Sequence, residues 1–356
     1  EQFKKRVNKA KEIGVNFDKR TNLELFNELK TNNQKVGFSY NPSIVLKQIS
    51  EIKENNFLPL SGLSKTLIID CNESGKYSTF ISDRYGFNNN DKLFEKNEKR
   101  IILIGDSFVQ GQCVDQKDTI SSKLNNLGHN VISLGLAGNG PLLELAILKE
   151  YGLNLEPGKV IWFFSENDIR DLEKNSKYKI LKNYYNKDYS QKIIDKQMQT
   201  DKFWKTYEKE QLEKKNRNII DFFSKKIERA LFLKSFKNFA LDILKNDYIE
   251  YESIDDEFVK KFIEIIELSK ALTEEIGGEF YFVYIPFYNS VFNEEPKSKE
   301  MILNEIKNLN IRYLDFHKVL NKHNDPFIFF PLKIEGHYSV SGYELLAKEI
   351  ANKFLK

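Results

Sequence analysis

Ile101-Ile102-Leu103-Ile104-Gly105-Asp106-Ser107-Phe108 is the stretch that decides the fold. Four consecutive apolar residues bounded by a turn signal read as a buried strand. Gly105-Asp106-Ser107 then places a hydroxyl where that strand gives way to a turn, the position at which open α/β sheets keep their chemistry. Taken alone, Gly-Asp-Ser also serves as an ordinary turn and helix cap, and Asp106 reads as a cap rather than an acid.

Three further segments carry the reading outward. Val131-Ile132-Ser133-Leu134 leads into the glycine-rich turn Gly135-Leu136-Ala137-Gly138-Asn139-Gly140-Pro141, where a backbone N–H is left uncovered by side chains. Val160-Ile161-Trp162-Phe163-Phe164 is a second buried run, ending in Ser165-Glu166-Asn167-Asp168 and offering an amide donor at Asn167. Glu335-Gly336-His337-Tyr338-Ser339 precedes an amphipathic C-terminal stretch and supplies an imidazole. A hydroxyl, a backbone donor, an amide and an imidazole are what acyl transfer through a serine ester requires.

With these four blocks in this order, the chain resembles the SGNH/GDSL hydrolase superfamily over roughly residues 99–172 and the last third of its length. The resemblance implies a three-layer, flavodoxin-like α/β sandwich around a central parallel sheet. It implies Ser107 as nucleophile, Gly138 as backbone oxyanion donor with Gly135 as the competing glycine, Asn167 as side-chain donor and His337 as general base. The family's aspartate three residues before the histidine is replaced here by Ile334. Glu335, two residues before His337, is the nearest carboxylate in sequence and the expected third member of the triad; Asp325 or a backbone carbonyl are the alternatives. The segment Arg84-Tyr85-Gly86-Phe87-Asn88 resembles, more loosely, the lead-in of bacterial members associated with extracellular polysaccharides.

Outside the four blocks, composition narrows the classes. With 55 basic against 52 acidic residues the chain is near balance, which argues against the uncompensated basic footprint of a nucleic-acid binder. No run approaches the ~20 apolar residues of a membrane span. Four histidines without ligand spacing predict no metal site, and no cofactor is expected. The two cysteines, Cys71 and Cys113, are either one bridge or two buried thiols. His129, His317 and His323 read as surface or structural, and Glu166 with Asp168 as near neighbours in a turn rather than a glycosidase pair.

Four regions follow along the chain: a helical extension over 1–40, broken near Asn16-Phe17-Asp18 and capped again at Thr21-Asn22; an irregular lead-in over 41–98 with strand-like pieces at 66–69 and 77–81; a catalytic core over 99–172 and 256–356; and a Lys-rich insertion over 173–255 that reads as helical. In the core, strands at 101–104, 131–134, 160–164, 280–285 and 311–316 alternate with helical stretches, the pattern of right-handed βαβ units. The insertion's aromatics, among them Tyr184, Tyr185, Phe203, Trp204, Phe222 and Phe223, read as packing against the core, the alternative being a wall that stacks sugar rings.

The function expected is hydrolysis of O-acyl esters, with O-acetylated carbohydrate as substrate partner on family analogy. A polysaccharide O-acetyltransferase with the same site is the alternative, and a non-catalytic carbohydrate-binding or assembly protein the second. The start at Glu1 and the family habit point to an extracytoplasmic setting, reached through a removed N-terminal signal or anchor. The sequence leaves the oligomeric state open.

Overall fold

The computed structural model describes residues 2–32, 35–46, 57–230, 256–292 and 297–356, without the side chains of 215–230, 292 and 297. The chain opens with helices Gln2–Glu12 and Asn22–Thr31. Thr21 caps the second through a capping box with Glu24, each satisfying an N–H of the other that the first helical turn leaves unpaired. Three short strands follow, β1 (Val36–Phe38), β2 (Leu67–Ile69) and β3 (Thr79–Ile81), with β1 parallel and β3 antiparallel to the central β2.

The core sheet comprises β4 (Arg100–Ile104), β5 (Val131–Ser133), β6 (Pro157–Ser165), β7 (Glu279–Ile285) and β8 (Arg312–Asp315). All its pairings are parallel, in the order β5-β4-β6-β7-β8. Each of the five apolar runs expected from sequence becomes one of these strands. Because side chains alternate across a strand, Ile102, Trp162, Phe164 and Phe282 face one core while Leu103, Ile161, Phe163 and Val283 face another. Helices Pro141–Ile147 and Asp256–Glu275 cover the first face; Ile120–Asn126 and Val340–Phe354 cover the second. The result is a three-layer α/β sandwich whose strands are buried on both sides, which is why they read as continuous apolar runs.

Strand order reverses at β4: the chain steps from β4 to β5 on one side, then returns to β6 on the other. The loops after β4, β5 and β6 therefore open at the carboxyl edge beside a topological switch point. The insertion begins as short helical pieces and continues as a helix over Gln197–Ala230. Tyr184 and Trp204 are fully buried, with Trp204 stacked on Tyr40 at the end of the N-terminal extension and its indole N–H donating to the Ser61 carbonyl. Residues 231–255 of the insertion, and the side chains of Phe222 and Phe223, lie outside the described residues.

Candidate active site

The residues following β4 make a tight elbow. Asp106 accepts the Phe108 N–H at 3.0 Å and caps the four-residue helix Ser107–Gln110, which Gly111 ends with a left-handed φ of 76°. Ser107 is thereby held at the first helical position directly off the strand. The lead-in braces this turn from behind: Asn88 donates to the Gln110 carbonyl, and Asn89 exchanges hydrogen bonds with the backbone of Ser133 on β5. Asp83, buried beneath both, accepts from the Tyr85 and Phe87 N–H groups and from Asn89.

The two candidate glycines separate on geometry. A Cβ on Gly135 would lie 2.4 Å from the Gln110 nitrogen, so this glycine lets the β5 turn press against the serine helix. Gly138 is exposed, has φ +75°, and faces Asn41 and Ser43 of the lead-in. Asn167 follows β6 at the head of helix Asp168–Asn175 and donates to Asp171 at 2.6 Å. An amide nitrogen carries two hydrogens, so one remains for another acceptor.

His337 brings the C-terminal loop over this edge. Its Nε2 lies 3.0 Å from Ser107 Oγ, and its ring packs on Phe108 with centroids 5.2 Å apart. The carboxylate at the other ring nitrogen is Glu73, and not the Glu335 expected from sequence: Glu73 Oε1 is 3.3 Å from Nδ1, and Oε2 accepts the backbone N–H of His337 at 2.7 Å. Glu335 has an exposed side chain and contributes only its backbone carbonyl, 3.4 Å from Arg6. The alternative Asp325 is held by Lys333 and caps the Phe327 N–H. Arg6, from the first helix, completes the set with a 2.6 Å ion pair to Glu73.

These neighbours fix the protonation chemistry. Burial disfavours the charged form of both Glu73 and His337, yet each ends up favouring charge. The His337 hydrogen bond and charge, with Arg6, hold Glu73 below the usual carboxylate range. Glu73, then Asp106 and Asp70, raise His337 above 6.5. A carboxylate at Nδ1 accepts a hydrogen bond from the ring N–H and keeps the proton on that nitrogen, leaving Nε2 free to accept from the Ser107 hydroxyl. Behind the elbow, Glu144 and Asp168 are fully buried and burial pushes both well above the usual range, so these carboxyls resist ionising. Glu166 accepts from Tyr284 and Ser290, and His317 is buried against Lys299.

Cys71 and Cys113 form a disulfide with Cα atoms 5.0 Å apart. Among the described residues, the groupings of carboxylate, sulfur and imidazole compact enough to share a cation all include a sulfur of this bridge, which is not a thiolate.

Sequence reasoning missed Glu73 and Arg6. Glu73 is 264 residues from His337 and sits in a loop without periodicity. The one local hint is Cys71 two residues earlier, since a bridge to Cys113 would bring that loop to the serine turn.

No protein-family model matches the chain, and no curated protein matches it. Among solved structures it is similar to the lipase/acylhydrolase from Enterococcus faecalis, at 17% identity and a TM-score of 0.38 over 72% of this chain and 96% of that one. It is also similar to a putative lipolytic protein of the G-D-S-L family from Desulfitobacterium hafniense, at 14% identity and 0.41 over 72% and 100%. The acetyl xylan esterase AlAXEase gives 12% identity and 0.39 over 72% and 99%. No helix among the described residues is long and apolar enough to cross a membrane.

Proposed function

We propose that this protein is a serine esterase that cleaves O-acyl esters through an acyl-serine intermediate. The observation that carries the reading is the 3.0 Å contact between Ser107 Oγ and His337 Nε2, with a charged carboxylate at the opposite ring nitrogen. Nucleophile, base and orienting acid are thus in line, and the nucleophile sits at the carboxyl edge of a parallel sheet.

In this reading Ser107 Oγ attacks the ester carbonyl carbon as its proton passes to His337 Nε2. Glu73 holds the ring in the required tautomer and stabilises the imidazolium. The negative charge on the carbonyl oxygen is met by the N–H groups of Ser107 and Gly138 and by the free hydrogen on Asn167 Nδ2. Collapse of this intermediate breaks the bond to the alcohol, which takes the proton from His337. Water then repeats the sequence on the acyl-serine, or a sugar hydroxyl does so and the outcome is acyl transfer. The substrate class is an O-acetylated carbohydrate, supported by the sequence resemblance of the four blocks and of the Arg84–Asn88 lead-in. An extracytoplasmic setting is proposed with it, and the disulfide supports that setting.

A fluorophosphonate probe followed by mass spectrometry tests the reading. Adduct on Ser107, and loss of both labelling and acetyl-ester turnover in Ser107→Ala with an unchanged melting temperature, are expected. Turnover that survives in Ser107→Ala overturns it.

A further inference from the structure

The loop that carries Glu73 has little secondary structure of its own. It runs from β2 to β3 and, besides the contacts of Glu73 with His337 and of Lys76 with Asp115, is held by three further ties. Asn72 donates to the Asp18 carbonyl at 3.0 Å and accepts from Gly75, and Gly75 in turn accepts from Asp18, anchoring the loop to the segment between the first two helices. Arg6 pulls on the Glu73 carboxylate itself. The third tie is the Cys71–Cys113 bridge, and it alone is covalent.

Cys71 stands two residues before Glu73, and Cys113 six residues after Ser107. The bridge therefore joins the acid's loop to the nucleophile's turn across 42 residues of sequence. Asp70 reinforces the junction, accepting the Cys113 N–H at 2.8 Å and the Gln110 side chain at 3.2 Å. Cys113 Sγ lies 3.9 Å from His337 Nδ1, so the sulfur also backs the ring on the side where Glu73 approaches. Removing the bridge leaves His337 where Ser107 and Phe108 hold it, and takes away the covalent link between the Glu73 loop and the serine turn, so that hydrogen bonds and ion pairs alone set where the loop places Glu73.

One end of the bridge borders a cavity. A cavity of about 850 Å³ beside the C-terminal loop is lined by Cys113 together with Ser74, Lys76, Ile328 and Lys333. Cys113 forms part of its wall and is 4% exposed as a residue.

We propose that the Cys71–Cys113 disulfide is a positioning element for Glu73, open to reduction by a dithiol entering this cavity, so that turnover depends on the bridge being intact. A thiolate of the dithiol attacks Cys113 Sγ and forms a mixed disulfide as the S–S bond breaks. Cys71 leaves as thiolate and takes up a proton, with Asp70 Oδ2, 3.4 Å away, as acceptor for the new thiol. The second thiol of the reagent then displaces Cys113. Two electrons and two protons pass to the cysteines and the dithiol becomes a disulfide. This proposal rests on the triad of Ser107, His337 and Glu73.

The test compares the oxidised full-length chain, the same protein reduced with dithiothreitol, and a Cys71→Ala/Cys113→Ala variant, with free thiols counted by alkylation and mass. Each is assayed on a small acetyl ester across pH and followed by circular dichroism. Expected is a 10- to 100-fold fall in kcat with KM within about twofold, reversed on reoxidation. The acid limb should move to lower pH, because His337 then keeps Asp106 and Asp70 as acidic neighbours but loses the close contact with the Glu73 carboxylate, which does most to raise it. Unchanged kcat and pH midpoint in protein with two alkylated thiols overturns the proposal. Activity loss that follows unfolding, in reduced protein and variant alike, overturns it too, since the bridge is then only structural. If Ser107→Ala turns over ester as the parent does, the triad reading fails and takes this proposal with it. If Ser107→Ala is inert while the reduced protein is fully active, only the role of the disulfide falls.

Discussion

Replacing Glu73 by glutamine changes one charge and almost no volume, and the geometry dictates why the change is severe. Oε1 of Glu73 serves Arg6 at 2.6 Å and His337 Nδ1 at 3.3 Å, while Oε2 serves the His337 backbone N–H at 2.7 Å. All three partners are donors. An amide has one acceptor oxygen, so Glu73→Gln must turn its NH2 either toward the backbone N–H or toward Arg6 and Nδ1. The first places donor against donor under the catalytic loop. The second leaves the Arg6 guanidinium with the Glu335 carbonyl but no carboxylate and drives the ring into the tautomer with its proton on Nε2, where it cannot accept from Ser107. Removing the acid of a serine triad costs about 10⁴ in rate when the tautomer is wrong. The 3.3 Å contact is longer than an ideal charged hydrogen bond and Phe108 also holds the ring, so a fall in kcat of about 10²–10⁴ is expected, or about 3–5 kcal/mol of barrier. KM should change little. The assay is steady-state hydrolysis of a small acetyl ester at a pH on the upper plateau, with Glu335→Gln as the control, expected within about twofold of the parent because that side chain is exposed. A Glu73→Gln protein with near-parental kcat, or a Glu335→Gln protein that loses activity instead, refutes the reasoning.

The remaining predictions concern the base, the donors and the elbow. His337 is raised above 6.5, and it acts as base only when neutral, so activity should fall as pH drops through a midpoint above 6.5; a pH–kcat/KM profile with its acid midpoint below 6.5 would contradict this. The same raised value stabilises the folded chain fully below pH 6.5 and loses that contribution as pH rises through the folded value, which melting at graded pH would register. Asn167→Ala should lower kcat by about 10²–10³ with little loss of stability, since Asp171 keeps its 2.8 Å contact with Lys174; unaltered turnover would remove Asn167 from the oxyanion site. Gly135→Ala should destabilise by about 1–3 kcal/mol in denaturant titration, because the new methyl meets the Gln110 nitrogen at 2.4 Å, and a neutral effect would show that the turn can shift.

What could be read from sequence was what is local. The five core strands are legible because a strand buried on both faces is a continuous apolar run, and the meeting of Ser107 with His337 because one follows β4 and the other precedes the last helix. β1, Val36-Gly37-Phe38, gives no strand signal because a glycine stands at its centre, whereas the equally short β2 and β3 are marked by branched and aromatic residues. The helix Lys297–Asn308, between β7 and β8, went unremarked although its position is the one a parallel connection requires. Glu335 is the carboxylate nearest His337 along the chain, but two residues of separation on a turning loop set its side chain outward. Glu73 comes from another sheet, and such a contact leaves no trace in spacing.

Arg6 reaching Glu73 has a consequence for anyone who would transplant this site. The five-stranded sandwich, excised and grafted elsewhere, would take its serine and histidine along and leave the acid, its ion-pair partner and half of the disulfide behind. The minimal portable unit therefore includes the first helix and the small sheet, and the pairing of imidazole with carboxylate belongs to the joint between them and the sandwich.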